Sequence, residues 1–225
     1  MRKVHRFEPC TAHMKVIYED ENVRVLDKPA GINADDIPRR VHRLDKDTSG
    51  VLLVAKNEKA LEFLQKQFSA SAKSYGGQAR NLVKKYIALV IGHLKNEGTT
   101  IETLLGRSPN DRRKQKVFLP HDPQAEGKRT AITKYRLLQK FENYDLIEVE
   151  SKTGRKHQIR AHLAYLGHPI AGDKLYGFKG QPSPQDLNRQ FLHATYLKIK
   201  LPSGEIKEFK SNLSNDLEIC LKKLI

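Results

Sequence analysis

The sequence lacks several features that would assign it to a familiar class at once. Within its 225 residues, no apolar run approaches the roughly 18 residues that a membrane-spanning helix needs, so no membrane partner is expected. Residues 1–14 are polar and basic without an apolar stretch, and no secretory signal is recognised. A short basic N-terminal segment, 1–14, is expected, followed by a single domain over 15–225.

Cysteine is scarce as well, since only Cys10 and Cys220 are present and no CxxC spacing occurs. This pattern predicts two free thiols in a reducing cytoplasm. No Cys/His cluster has the spacing of a zinc site, and His157 and His162 do not form an HExxH pair. Phosphate-loop and dinucleotide-binding glycine patterns are also missing. We therefore predict neither a metal nor an organic cofactor.

Positive charge is what the sequence has in excess. Lys and Arg total 41 against 26 Asp and Glu, which gives a formal net charge of +15. Such an excess attracts polyanions, and RNA is the polyanion in greatest supply inside cells. Composition therefore favours an RNA partner, although it says nothing about chemistry. A monomer without an obligate protein partner is the simplest expectation.

The hydrophobic pattern predicts a mixed chain of strands and helices without internal repeats. Strands are predicted at 15–18, 23–26, 51–55, 86–91, 130–138, 144–151, 196–201 and 206–209. Helices are predicted to begin near Asn57, His157 and Asn215. Segments 69–81 and 178–190 are predicted to be loops, and the basic run 112–116 is predicted to be a loop between strands.

The most informative local feature is the segment 41–53. It places the carboxylate of Asp45 among the basic side chains of His42, Arg43 and Lys46, just before an apolar strand. Viewed alone, this arrangement fits a salt-bridged surface aspartate as well as it fits a catalytic carboxylate.

Two other segments carry side chains suited to catalysis or RNA binding. Segment 152–162 reads as a turn into a helix that brings Arg155 and Arg160 near its N-terminus, where they can bind phosphates, neutralise a carboxylate, or do both. Tyr86 opens a strand directly after two lysines. Alone, such a tyrosine is most often part of the core or its rim.

Together these segments resemble the RluA-type pseudouridine synthases. The family's HRLD-x-x-TSG signature is present in full over residues 42–50. Five further blocks match in the family's order, at 27–31, 85–90, 154–160, 167–173 and 192–194. The resemblance therefore covers the chain from about residue 15 to its end.

The resemblance implies an isomerase that converts uridine to pseudouridine in structured RNA, ribosomal RNA before transfer RNA, without a cofactor. Asp45 aligns with the catalytic aspartate, Tyr86 with the active-site tyrosine and Arg160 with the arginine that pairs with the aspartate. Arg43 aligns with an arginine that helps to displace the target base. Further RNA contacts are expected from His42, Lys85, Arg112, Arg113, Lys114, Lys116, Arg155 and Lys156.

The implied fold is α+β, with a mixed, mostly antiparallel central sheet flanked by helices and loops. Its central cleft is expected to hold the catalytic aspartate, tyrosine and arginine. Three departures from the family concern RNA binding: a short loop between Gly31 and His42, a long stretch at 69–82, and no S4-like RNA-binding domain before residue 15.

Several alternatives stay open at this stage. The chain is either an active synthase, a catalytically silent RNA-binding or ribosome-assembly factor, or a metal-dependent RNA hydrolase that uses Asp45. For His42, His157 and His193, structural hydrogen bonding is favoured over metal ligation. The sequence also leaves open whether Asp45 attacks C1′ of the nucleoside or assists elimination to a glycal.

Overall fold

The computed structural model describes residues 14–73 and 81–224. The strands are β1 (Lys15–Glu19), β2 (Val23–Lys28), β3 (Ser49–Ala55), β4 (Val83–Ile91), β5 (Gly98–Arg107), β6 (Gln115–Phe118), β7 (Arg129–Lys140), β8 (Tyr144–Ser151), β9 (Leu192–Lys200) and β10 (Ile206–Lys210). The helices are α1 (Glu58–Lys73), α2 (Gln158–Tyr165) and α3 (Asn215–Lys222), with one 3₁₀ turn, Ala34–Asp36. Residues 1–13 of the expected N-terminal segment lie outside the described residues.

All of these strands belong to one sheet. Their order is β1-β2-β3-β9-β4-β8-β7-β5-β6, and β10 also pairs with β9. The pairings are antiparallel except that of β3 with β9, where Ser49 and Gly50 lie beside His193 and Ala194. The expected α+β fold with a mixed, mostly antiparallel sheet is therefore confirmed.

The two largest apolar cores hold helices against the sheet. In the larger one, Leu89 of β4 and Ile147 of β8 belong to the same buried cluster as Leu163 of α2. In the smaller one, Leu53 of β3 shares a buried cluster with Leu64 of α1. Each such side chain contributes about 1.5–3 kcal/mol when it is fully removed from water, so the cores fix how α1 and α2 sit on the sheet.

The predicted strands and helices are confirmed, with some differences in extent. The loop prediction is wrong for residues 69–73, which continue α1, and residues 74–80 lie outside the described part of the chain. Strands β5 and β6 were not predicted, so the end of the basic run 112–116 lies in a strand. The Asn57 cap is present, because its Oδ1 accepts a 2.9 Å hydrogen bond from the backbone N–H of Ala60.

The order of the strands brings three distant segments together. The loop that precedes β3 carries Asp45, β4 carries Tyr86, and α2, which follows β8, carries Arg160. Because β9 separates β3 from β4, and β8 lies next to β4, these three residues face a common cleft. Within the described ranges, no helix is long and apolar enough to cross a membrane.

Candidate active site

The loop that carries Asp45 is held through its backbone. Lys28, which is fully buried, donates from its Nζ to the carbonyl of Lys46 at 3.1 Å. Arg189 donates from Nη1 to the carbonyl of Asp47 at 3.0 Å. The backbone N–H of Thr48 donates to the carbonyl of Asp45 at 3.0 Å, which closes a turn. These bonds fix the loop on both sides of Asp45 and leave its carboxylate free to face the cleft.

Arg160 joins two carboxylates in the floor of the cleft. Its Nη1 donates to Oδ2 of Asp45 at 2.9 Å, while Nε and Nη2 donate to both oxygens of Asp173 at 2.7 and 2.8 Å. The expected pairing of Asp45 with Arg160 is thus present. Burial opposes the charged guanidinium, but the hydrogen bonds and charges of the two carboxylates raise the pKa of Arg160 above its usual range.

Asp173 fixes the direction of this arginine. Its carboxyl is fully buried, and burial alone would raise its pKa. Hydrogen bonds from Arg160 and from the backbone N–H groups of Leu175 and Tyr176 outweigh burial and hold the pKa of Asp173 below its ordinary value. Asp173 is therefore ionised, and its bidentate geometry leaves one guanidinium nitrogen for Asp45.

The turn before α2 sets the position of Arg160. The Oε1 of Gln158 accepts from the hydroxyl of Thr153 at 2.6 Å and from the backbone N–H of Arg155 at 3.0 Å. Its Nε2 donates to the carbonyl of Ile132 at 2.9 Å. A single buried side chain therefore ties the turn to β7, so that Arg160 enters the cleft from the first turn of the helix.

Tyr86 and Lys84 line the cleft from β4. Successive side chains of a strand point to opposite faces, and these two residues share the face that lines the cleft. Burial, together with the charge of Asp45, raises the pKa of Tyr86, so the phenol is neutral at physiological pH. Lys84 donates to the carbonyl of Thr153 at 2.9 Å, and burial with the charge of Arg155 lowers its pKa to about 8.

Lys85 does not reach the cleft, although the sequence suggested it for RNA contact. It lies on the opposite face of β4, where its Nζ is 3.3 Å from a carboxylate oxygen of Glu148. Strand alternation explains the difference, because Lys84 and Tyr86 occupy one face and Lys85 occupies the other. The cationic side chain beside Tyr86 is therefore that of Lys84.

His42 and Phe68 add stacked rings to the lining of the cleft. The ring of His42 stacks on Phe68 of α1 with centroids 4.8 Å apart, and its Nε2 accepts a 3.1 Å hydrogen bond from the backbone N–H of Leu53. Burial and the charge of Lys84 lower the pKa of His42 to about 3. This histidine is neutral and structurally bonded, and it lines the cleft as part of its wall.

The cleft is continuous with a second, more polar groove. The cleft has a volume of about 380 Å³ and the groove one of about 780 Å³, and Arg43, Asp45 and Arg160 line both. We call the second space the basic groove, because cationic side chains dominate its lining: Arg43, Lys46, Arg113, Lys156, Arg160, Lys174 and Arg189. Asp45 therefore lies where the cleft meets the basic groove.

The other residues expected to contact RNA are distributed unevenly. Lys156 is exposed and lines both spaces, and Arg155 lines the cleft while its Nε donates to the carbonyl of Thr130 at 3.0 Å. Arg113 lines the basic groove and pairs with Asp111 at 2.9 Å. The rest of the basic run lies outside both linings. Arg112 is exposed, Lys114 lies over the ring of Tyr176, and Lys116 lies over the ring of Phe118.

Sequence reasoning did not assign roles to several residues that build the site. Asp173 lies within the matched block 167–173, but a carboxylate that orients an arginine has no pattern of its own. Lys174 and Arg189 join Arg43 and Lys46 only in the folded chain. In the described ranges no group of three or more His, Cys, Asp or Glu side chains is arranged to hold a metal ion.

Comparisons with known proteins agree on one family. The family model described as RNA pseudouridylate synthase matches residues 12–165. An uncharacterized RNA pseudouridine synthase of Chloroflexus aurantiacus is 45% identical over 83% of this chain and 54% of its own length. Ribosomal large subunit pseudouridine synthase D of Nitrosomonas europaea is 36% identical over 94% of this chain and 65% of its own.

A solved structure leads to the same family. Human RNA pseudouridylate synthase domain containing 1 superposes with a TM-score of 0.77 at 25% identity, covering 92% of this chain and 87% of that one. The two bacterial relatives extend beyond the matched part, since the chain spans 54% and 65% of their lengths.

Proposed function

The chain belongs to the RNA pseudouridylate synthase family, and on that premise we propose that it isomerises uridine to pseudouridine in RNA, with Asp45 as the catalytic carboxylate. The observation that carries the proposal is the placement of Asp45. Its Oδ2 accepts from Arg160, and the residue lies with Tyr86 in the lining of the cleft, at the junction with the basic groove. A polynucleotide in the groove would therefore present one nucleoside to this carboxylate.

The chemistry needs only groups that the cleft contains. The N1–C1′ bond of uridine breaks, the uracil turns, and C5 bonds to C1′, while C5 loses a proton and N1 gains one. Substrate and product are isomers, so the reaction consumes no oxidant and no group donor. Asp45 serves it either by attacking C1′ or by assisting elimination to a glycal, and the 2.9 Å hydrogen bond from Arg160 holds the carboxylate in place for both routes.

Tyr86 enters the proposal as a neutral phenol. Its place in the lining beside Asp45 suits a ring that stacks on the uracil, and its hydroxyl is a candidate for handling the C5 proton. Lys84 adds a partly neutralised amine to the same wall. The ring of Tyr86 adds an apolar surface to the cleft, and its hydroxyl and the amine of Lys84 add polar groups, as expected for a pocket that holds a base.

Access to a base in folded RNA requires that the base leave its stack. Flipping costs a few kcal/mol, which the protein offsets by filling the vacated space and binding the flanking phosphates. Arg43 is suited to the first task, because it lines both spaces and its side chain is 47% exposed. The cations of the basic groove are suited to the second.

Ribosomal RNA is the proposed substrate, and transfer RNA is the second choice. The support comes from the Nitrosomonas relative, whose name refers to the large ribosomal subunit. We further propose that the protein acts as a monomer in the cytoplasm, in keeping with its scarce cysteines.

The test is the release of tritium from RNA labelled at uridine C5. The purified chain is incubated with large-subunit ribosomal RNA and, separately, with transfer RNA, each with and without a chelator. We expect release from ribosomal RNA that the chelator does not change. RNA binding without release from either RNA would favour the silent binding factor, and chelator-sensitive strand cleavage would favour the hydrolase.

A further inference from the structure

His157 combines an unusual backbone with a position beside the catalytic carboxylate. It precedes α2 in the left-handed region, with φ of 53°, which non-glycine residues seldom adopt without a compensating contact. Its Nε2 is 3.8 Å from Oδ1 of Asp45, the oxygen that Arg160 does not bind. That separation exceeds a hydrogen bond, so the two groups face each other across a narrow gap.

Tyr176 holds the other side of this imidazole. Its hydroxyl accepts a 2.7 Å hydrogen bond from the backbone N–H of Gln115 and lies 3.1 Å from Nδ1 of His157. Its ring covers the guanidinium of Arg160 at 5.0 Å and meets the imidazole edge-on. One tyrosine therefore connects strand β6, the start of α2 and the ion pair.

These contacts favour one of the two neutral tautomers of the imidazole. The hydroxyl of Tyr176 has one hydrogen, and the N–H of Gln115 occupies one of its lone pairs. Among the described residues its remaining partner is Nδ1 of His157, which accepts that hydrogen. Burial lowers the pKa of His157 to about 4. The nearby charges of Asp45 and Asp173 raise this pKa, whereas those of Arg160 and Lys156 lower it. The imidazole is neutral, so its single N–H is on Nε2.

We propose that His157 is a positioning residue for Asp45, held by Tyr176 as the tautomer whose Nε2–H points at the free oxygen of that carboxylate. Arg160 fixes Oδ2, and a hydrogen bond from the N–H of His157 would limit the rotation of Oδ1 and keep it directed toward the nucleoside. A small movement on RNA binding would close the 3.8 Å gap into a hydrogen bond. This inference rests on the proposed function for its catalytic consequence but not for the tautomer itself.

The tautomer is measured by nitrogen-15 NMR of the imidazole groups in the intact chain, with the signal of His157 assigned from its absence in His157→Gln. We expect a neutral ring protonated at Nε2 in the parent at pH 7. Tyr176→Phe keeps the ring over Arg160 but loses the hydroxyl, so the Nδ1–H form should appear. Tyr135→Phe is the matched control, because its hydroxyl donates to the carbonyl of Asn96 at 3.3 Å and Tyr135 lines neither space.

Substitution of His157 separates positioning from a structural role. The amide nitrogen of Gln reaches the place of Nε2, whereas that of Asn does not; Asn, however, tolerates positive φ better. We expect the single-turnover rate of tritium release to be higher for His157→Gln than for His157→Asn, although His157→Asn is at least as stable. The RNA concentration that gives half the maximal rate should be unchanged. Activity that follows stability instead would overturn the proposal, as would an Nδ1–H or charged ring in the parent. A parent with the Nε2–H ring but no release would contradict the proposed function alone.

Discussion

At the scale of single residues, the site depends on an arginine shared between two carboxylates. Asp173 takes two of the guanidinium nitrogens of Arg160, and Asp45 takes the third. The three groups carry a net negative charge in a region where Arg160 is 8% exposed. Removing either partner of such a buried pair costs more than the pair contributes, because an uncompensated charge is left behind.

Asp173→Asn should therefore weaken both the fold and the reaction. The amide can accept from Arg160 at one atom only, and its NH₂ group faces a second donor. We expect the free energy of unfolding in urea to fall by about 3–5 kcal/mol, together with slower single-turnover tritium release at a temperature where the variant is folded. Glu62→Gln, which breaks the exposed pair with Lys66, is the control and should change neither. Equal behaviour of both variants would contradict the orienting role of Asp173.

The two adjacent lysines of β4 provide a test of strand alternation. Lys84→Met removes a buried amine from the cleft, whereas Lys85→Met removes a charge from the opposite face, where Glu148 keeps Arg136 as a second partner. We expect kcat/KM for tritium release to drop about tenfold or more for Lys84→Met, on the scale of a hydrogen bond to a charged group. Lys85→Met should stay within about twofold of the parent, well under 1 kcal/mol. A larger loss of kcat/KM for Lys85→Met than for Lys84→Met would contradict the assignment of Lys84 to the cleft.

At the scale of elements, the pattern of apolar residues predicted most strands of the sheet but not the pair β5 and β6. Strand β5 has a polar residue, Thr103, at an inward position, and its hydroxyl is satisfied by His162 at 3.0 Å. That partner is distant in sequence, so the pattern gave no sign that a threonine would be buried. Strand β6 is a four-residue edge strand that contains Lys116, and its basic composition is typical of a loop.

Helix α1 was underestimated for a local reason. Residues 69–73 are small and polar, which favours a loop, but Ala70, Ala72 and Lys73 are good helix formers and continue a helix that is already nucleated. The positions of Asp45 and Arg160 in one site followed from the family resemblance, and their spatial pairing could not be read from periodicity. The grouping of Lys46, Lys174 and Arg189 depends on tertiary packing alone.

Gly50 joins β3 to β9 at the end of the loop that carries Asp45. Its φ is +111°, and a Cβ there would lie 2.2 Å from the backbone oxygen of Ala194. Gly50→Ala should therefore lower the free energy of unfolding by about 2–5 kcal/mol through overpacking and backbone strain. Gly204→Ala, also at positive φ but with no atom within 4 Å, should cost only about 1–2 kcal/mol. Equal losses of unfolding free energy for the two variants would mean that the backbone of β9 moves to accommodate the added Cβ without measurable cost.

At the scale of the whole molecule, the excess positive charge and the histidines lie in different environments. The net charge of +15 is displayed in part along the basic groove, while several histidines are buried and neutral. His162 bridges the hydroxyls of Thr133 and Thr103 at 2.8 and 3.0 Å, and burial lowers its pKa to about 4. Burial likewise lowers the pKa of His42 and that of His193.

Stability should consequently fall as the pH is lowered from about 6.5 toward 4, the window between the ordinary histidine pKa and that of His162 in the fold. Over this range the unfolded chain binds protons that the folded chain does not. Each such histidine contributes a slope of up to about 1.4 kcal/mol per pH unit. His162→Gln keeps hydrogen-bonding groups but cannot titrate, so its unfolding free energy should depend less steeply on pH. An unchanged slope would show that His162 is not neutral in the fold.

The most direct test of the central claim compares Asp45→Asn with Asp47→Asn in single-turnover tritium release from uridine-labelled ribosomal RNA. The two aspartates share one loop, but only Asp45 pairs with Arg160. We expect Asp47→Asn to release tritium like the parent, and Asp45→Asn to be slower by at least about a thousandfold, the scale of losing a group that acts in the transition state, with RNA binding retained. Equal release by Asp45→Asn and the parent would contradict the assignment of Asp45 as the catalytic carboxylate.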